Sequence, residues 1–324
     1  MRKDIVVNLA KRMHVRHALS LPVDVEALAN KYADLRFEEF PVDIDGVAAN
    51  LKQLNKRPTI LVNKNRVATR QRFTIAHEIG HVIIPWHMGT ICDVTIEKAA
   101  DGAQDYWEME AEANSFATEL LMPSAWVLEQ IGNNTDLASV NKLVAKECKV
   151  SPIAATLRLR SLLSPGYIFI VVGADGVINY SGRSDETCAS PPGKGSSRDV
   201  LSRLESVSAS YSVVIGGSEY VWFRISNEVA LERDGRGDWR QILDEMVKDC
   251  TQDPDLQMRY KQKINGVLGY ANSIMRKGTY TEATLYSACL QRFYNNETLD
   301  AIIKHGRFKD FLASKIKELI SSKA

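Results

Sequence analysis

The chain has 324 residues, about two domains' worth, with 45% hydrophobic and 25% charged residues and a formal net charge of +1. That balance excludes bulk electrostatics as a route to nucleic acid or membrane, so any such binding would need a local patch. The run "YIFIVV" (167–172) is far too short to span a bilayer, and five dispersed cysteines (Cys92, Cys148, Cys188, Cys250, Cys289) predict reduced thiols, a cytoplasmic location and no membrane partner.

In chain order, "DIVVNLAKRMHVRHAL" has helical apolar spacing at Val6, Leu9, Ala10 and Met13, and its early Lys11 and Arg12 do not fit a signal peptide. "PVDVEALANKYA" follows as a second helix, with Pro22 in its first turn and Val25, Leu28 and Ala29 on one face. "LRFEEF", "GVAANLKQ" and "PTILVN" are short, alternating or β-branched, and bounded by turn residues, which predicts three strands of a small sheet. Helices are expected over "ATRQRFTIAHEIGHVII", ending before Pro85, and "QDYWEMEAEANSFATELLM", ending before Pro123. "LASVNKLVAKECKV" and "PIAATLRLRSLL" predict two more.

Ser164-Pro165-Gly166 interrupts the helical pattern and is the clearest domain boundary. It divides a domain at 1–163 from a region at 164–324. The second region starts strand-rich (166–230), with "YIFIVVG", "VINYSG", "SYSVVIGG" and "EYVWFRIS", and becomes helical over 237–322. The helical tail is rich in Lys and Arg, a pattern read as solvated helix faces.

The chemistry concentrates in "FTIAHEIGHVIIPWH" (73–87). His77 and His81 are i and i+4 on a helix, so both imidazoles project from one face and can reach one ion. Glu78 lies about 100° around the helix from His77, close enough to touch a water on that ion. This is the zincin spacing of two ligands and a general base. Chance alone gives His-Glu-x-x-His in about one chain in a hundred, so the motif needs context. That context is the apolar helix around it and the acids of "EMEAEANSFATELLMP", where Glu108, Glu110 and Glu112 compete as third ligand. Glu110 has Asn114 at i+4 to orient it, and Ala111, Ala113 and Ala117, like Gly80, let the two helices approach. Tyr106, Trp107 and His87 are all candidates to stabilise an oxyanion, and nothing selects one.

"RFTIAHEIGH" followed by "EAEANSFATELLMP" resembles the ImmA/IrrE family of zinc metallopeptidases, over a stretch running from "VDVEALANKYADLRFEEF" to "CKVSPIAATLRLRSL". The resemblance implies an α+β, zincin-like domain with a gluzincin-like Zn2+ site. In it His77, His81 and Glu110 are metal ligands, Glu78 the catalytic acid/base and Asn114 the partner of the glutamate ligand. It also implies a protein substrate, a helix-turn-helix repressor of a phage, mobile-element, stress or defence operon.

A peptide substrate would extend along a sheet edge, for which "PTILVN" is the expected strand. Cys92, on the connection between His81 and Glu110, is a candidate fourth, inhibitory zinc ligand; a small packed thiol is the plainer reading. The region 164–324 is expected to be a sensor or partner-docking unit, taking a signal ligand or nucleic acid. The rival reading is a DNA-binding transcription regulator with a structural or degenerate zinc site. It rests on "LVAKECKVSPIAATLRLRSL" as a helix-turn-helix carrying Arg158 and Arg160, against which Ile153, Leu157 and Leu159 look like packing residues.

Overall fold

A computed structural model of the protein describes residues 2–92, 103–185, 187, 189, 191–199, 207–225, 237–275, 282–294 and 296–321. The chain divides into two compact units, Met1–Leu159 and Arg160–Ala324.

The first unit is mixed α and β. Helix α1 (Lys3–His17) buries Val6, Ala10 and Met13, the face its spacing predicts. Helix α2 (Val25–Tyr32) buries Val25, Leu28 and Ala29. It begins later than expected: Asp24 is the N-cap and accepts from Ala27 N at 2.9 Å, so Pro22 precedes the helix. Four strands follow, β1 (Asp34–Glu38), β2 (Gly46–Leu51), β3 (Thr59–Asn63) and β4 (Gly89–Cys92), in sheet order β1-β3-β2-β4. β3 pairs parallel to β1 and antiparallel to β2. "PTILVN" is therefore an interior strand, and both of its edges are taken. Its residues Ile60 and Val62 are fully buried, as an interior position requires. Among the described residues the outer strands of this sheet are β1, which is exposed and carries alternating charges, and β4, which the sequence pattern does not single out.

Between β3 and β4 runs α3 (Ala68–Ile83), buried continuously from Thr74 to His81. Helix α4 (Ala103–Leu121) packs against it. The approach is close because Gly80 has no side chain: a Cβ there would sit 3.3 Å from Ala113 Cα and 3.2 Å from Phe116. Ala113 and Ala117 are fully buried at this contact. Lys52, just after β2, donates to the C-terminal carbonyls of α3, His81 O at 2.7 Å and Val82 O at 2.9 Å. A cation there complements the helix dipole, and Lys52→Met is expected to cost about 1 kcal/mol in urea unfolding.

Helices α5 (Ser124–Asn133), α6 (Leu137–Glu147) and α7 (Pro152–Leu162) complete this part of the chain. α6 is capped by Asp136, which accepts from Ala138 N and Ser139 N. Fully buried Asn141 joins α6 to α7, accepting from Thr156 Oγ1 at 2.8 Å and donating to Pro152 O at 3.2 Å. Arg158 does not face solvent. It forms an ion pair with buried Glu119 of α4 and donates through Nε to Met122 O at 2.9 Å. Glu119 also accepts from Ser124 N and Oγ. A recognition helix needs its arginine free to reach phosphate or base, and Arg158 is committed to the interior. Arg160, counted in the second unit, donates to Arg183 O and pairs with Asp185. Leu159 is buried as expected, but Leu157 is 48% exposed and does not pack as its type suggested.

Cys148 closes α6 and is fully buried; burial pushes its thiol up to about 12. It carries no thiolate at neutral pH. Site-resolved iodoacetamide labelling should therefore modify Cys148 only when the chain unfolds, in step with denaturant. Modification in native buffer at the rate of a free thiol would contradict this.

The second unit holds an antiparallel sheet of β5 (Tyr167–Val172), β6 (Ile178–Arg183), β7 (Val207–Ile215) and β8 (Ser218–Ile225) in order β6-β5-β8-β7. β5 is central and buried on both faces, which explains its unbroken apolar run. Helices α8 (Trp239–Cys250), α9 (Pro254–Met275), α10 (Glu282–Tyr294), α11 (Asp300–Ile303) and α12 (Phe308–Ser321) form a separate core around Met246, Ile264, Leu285, Phe293, Phe308 and Phe311. No helix among the described residues is long and apolar enough to cross a membrane.

Candidate metal centre

The buried face of α3 brings His77 and His81 together, with their Nε2 atoms 3.0 Å apart. From α4, Glu110 places Oε2 3.1 Å from His77 Nε2 and Oε1 3.5 Å from His81 Nε2. All three side chains are buried, and among the described residues they form the single group of three or more such ligand types close enough to share one ion. Ligands about 2.05 Å from a tetrahedral ion are themselves about 3.3 Å apart, which the three separations bracket.

The hydrogen bonds behind the imidazoles explain which atoms are available. His77 Nδ1 donates to Asn114 Oδ1 at 3.1 Å. His81 Nδ1 lies 2.8 Å from His87 Nδ1, and His87 Nε2 lies 3.2 Å from Glu112 Oε2. The Glu112 carboxylate only accepts, so His87 carries its proton on Nε2 and accepts on Nδ1, and His81 donates from Nδ1. Both histidines then present bare Nε2 lone pairs to each other and to a carboxylate. Glu110 Oε1 is buried with no hydrogen-bond donor on it among the described residues. A cluster of buried acceptors facing inward is costly unless a cation sits among them, so these residues fit a metal ion. Burial holds the His81 imidazole at about 4, so the ring is neutral near pH 7 and its Nε2 can face a cation.

Glu78 is 1% exposed. It packs against β2 at Gly46, where a Cβ would fall 2.7 Å from Glu78 Oε1 and 2.4 Å from Thr74 Cγ2. Glycine is required there by space. Gly46→Ala is expected to cost about 1–3 kcal/mol in stability by overpacking, and to displace the Glu78 carboxylate. A chemical-denaturation midpoint equal to wild type would contradict it.

Of the three acids that compete on spacing, the structure brings Glu110 to the histidines. Glu112 points elsewhere, accepting from Trp86 Nε1 at 2.6 Å, from His87 and from Arg2 N at 2.9 Å. Glu108 is not part of the ligand group. His87 is fully buried behind His81, so it is not placed to meet a substrate oxyanion. Tyr106 packs on the small cluster of Ala48, Leu51 and Ile91, and Trp107 is 52% exposed. The backbone of Cys92 pairs opposite Val47 in β2, and its side chain lies outside the described residues. The chain His81–His87–Glu112–Arg2 was not legible beforehand. Its one signal was a third histidine six residues beyond His81.

Residues 30–160 match the family model for the IrrE N-terminal-like domain, Peptidase_M78. Over 127 residues the chain is 29% identical to the radiation response metalloprotease IrrE of Deinococcus radiodurans. By these two matches the segment is IrrE-like. The alignment with the Deinococcus protein covers 39% of this chain and 38% of that relative's length. Among solved structures, a Mycobacterium tuberculosis transcriptional regulator superposes with a TM-score of 0.43 at 13% identity, covering 69% of this chain and 76% of that one. The IrrE-like segment contains both helices of the metal centre, α3 and α4, and all four strands of the first sheet.

Proposed function

We propose that the IrrE-like domain is a zinc-dependent endopeptidase that hydrolyses a peptide bond in a regulatory protein, a helix-turn-helix repressor. The observation that carries this reading is the convergence of His77, His81 and Glu110, with Glu78 on the same buried turn of α3 as the histidines. The metalloprotease name of the Deinococcus relative supports it. His77, His81 and Glu110 would hold the ion, oriented by Asn114 behind His77 and by His87 behind His81. When bound, zinc supplies a Lewis acid that polarises the scissile carbonyl and acidifies a water. Glu78 takes the proton from the attacking water and returns it to the leaving amine. Burial in α3 against Gly46 keeps that carboxylate in place.

The substrate strand would pair with β4, whose outer edge has no partner among the described residues. Cys92 of β4 lies opposite Val47, next to Gly46, so this edge runs towards Glu78. The region 164–324 would act as a sensor or partner-docking unit, since its sheet and its helices each have their own apolar core. A chain ending after Leu163 should then fold and cleave without dependence on a signal; a soluble truncation that keeps the signal dependence of the full chain contradicts that role. For the peptidase reading itself, purified zinc-loaded protein should cleave a co-expressed repressor, and cleavage that persists in the presence of a strong chelator would overturn it.

A further inference from the structure

The group on the far side of His81 has no part in the proposed chemistry, yet it holds a buried, densely bonded carboxylate. Glu112 accepts three donors: Arg2 N on Oε1, and Trp86 Nε1 and His87 Nε2 on Oε2. Glu112 is 3% exposed and His87 0%. The Arg2 guanidinium also lies 4.6 Å above the Trp86 ring, so the residue before α1 holds the carboxylate by its backbone and one of that carboxylate's donors by its side chain. His87 has both ring nitrogens engaged, one on Glu112 and the other 2.8 Å from His81 Nδ1.

We propose that Glu112, acting through His87, is a positioning carboxylate for His81, and that Arg2 and Trp86 hold Glu112 for that purpose. The inference rests on the metal reading of His77, His81 and Glu110. A single buried imidazole between His81 and solvent-free protein could orient the ring in either tautomer. A carboxylate at the end of the relay removes that freedom, because it can only accept. It therefore fixes His87 as donor at Nε2 and acceptor at Nδ1, and His81 as donor at Nδ1, leaving His81 Nε2 bare for the ion. The two ligand histidines are thus held differently: His77 by the amide oxygen of exposed Asn114, His81 by a buried relay anchored on α1. The residues involved come from α3's exit, α4 and the segment before α1, so metal affinity is coupled to the docking of α1 on α4.

The test is zinc affinity by competition with a chromophoric chelator, using the full chain, alongside the thermal midpoint of each metal-free protein. His87→Leu removes the relay, and zinc affinity should fall ten- to a hundredfold, the loss typical of partners behind metal ligands. His87→Gln can accept from His81 and donate to Glu112, so it should recover most of that loss. Glu112→Gln keeps the shape and one acceptor and should fall between wild type and His87→Leu. A merely structural role predicts lower metal-free midpoints in these variants with zinc affinity unchanged. Folded His87→Leu and Glu112→Gln that bind zinc within twofold of wild type would overturn the relay while leaving the metal site standing. A wild type that fails to bind zinc would overturn both. If His87→Leu does not fold, Glu112→Gln decides: a folded Glu112→Gln with zinc affinity equal to wild type sinks the proposal.

Discussion

Glu78→Gln is expected to keep its full complement of zinc and lose peptide cleavage by about 10²–10⁴-fold. The substitution preserves the volume of a side chain that is 1% exposed and packed against Gly46, so the helix and the histidines on it should not move. What it removes is the proton acceptor beside the attacking water. The three side chains close enough to share an ion do not include Glu78, which is why metal content and activity should separate. By contrast, His77→Ala or Glu110→Ala leaves two ligands and should lose metal and activity together. Single-turnover cleavage with matched metal analysis checks both halves. Activity in metal-replete Glu78→Gln within a few-fold of wild type would remove Glu78 from its proposed role.

The largest effect on stability is expected at the Arg158–Glu119 pair. Arg158 and Glu119 are 9% and 2% exposed, and each has further bonds, to Met122 O and to Ser124. Removing one partner leaves the other charge buried without compensation, so Arg158→Ala or Glu119→Ala should cost about 3–5 kcal/mol. Replacing both by apolar residues, Glu119→Leu with Arg158→Met, should recover much of the loss, because a buried pair is worth little over a hydrophobic pair of similar volume. A double-mutant cycle by urea unfolding tests this. Single losses under 1 kcal/mol would show that the pair is solvated in solution. The same result bears on DNA binding, since an Arg158 held by Glu119 is not free to meet a phosphate.

The parts of this chain that were readable from sequence are those where local pattern and tertiary environment agree. Helix α3 carries His77 and His81 at i and i+4, and Ile75, Ala76 and Ile79 are buried with them, so the apolar pattern and the histidine spacing both mark a buried helix. Glu110 could not be separated from Glu108 and Glu112 by spacing, because three acids at alternate positions wind around a helix. The rotation of α4 against α3 decides among them, and that is set by Gly80, Ala113 and Phe116. The same rotation puts Glu112 behind His87, in a contact completed by Trp86 and by Arg2, which is 110 residues from Glu112 in sequence. β4 escaped notice because a four-residue strand starting at a glycine has too few positions to show alternation. Without β4, the strand nearest the metal helix in sequence looked like the sheet edge, when in space β3 is enclosed on both sides. α5 was missed for a related reason: it has one buried residue, Val127, and no side-chain cap, so neither periodicity nor a start signal marks it. Leu157 misled in the opposite sense, since an apolar residue on a short helix is not obliged to be inside.

The central claim is that His77, His81 and Glu110 together hold one catalytic ion, and metal stoichiometry tests it most directly. Inductively coupled plasma mass spectrometry on protein dialysed against zinc at limiting concentration should find about one zinc per chain in wild type and Glu78→Gln, and essentially none in Glu110→Ala or His81→Ala, all four folded by circular dichroism. One zinc retained in folded Glu110→Ala and His81→Ala, or none in wild type, would contradict the account.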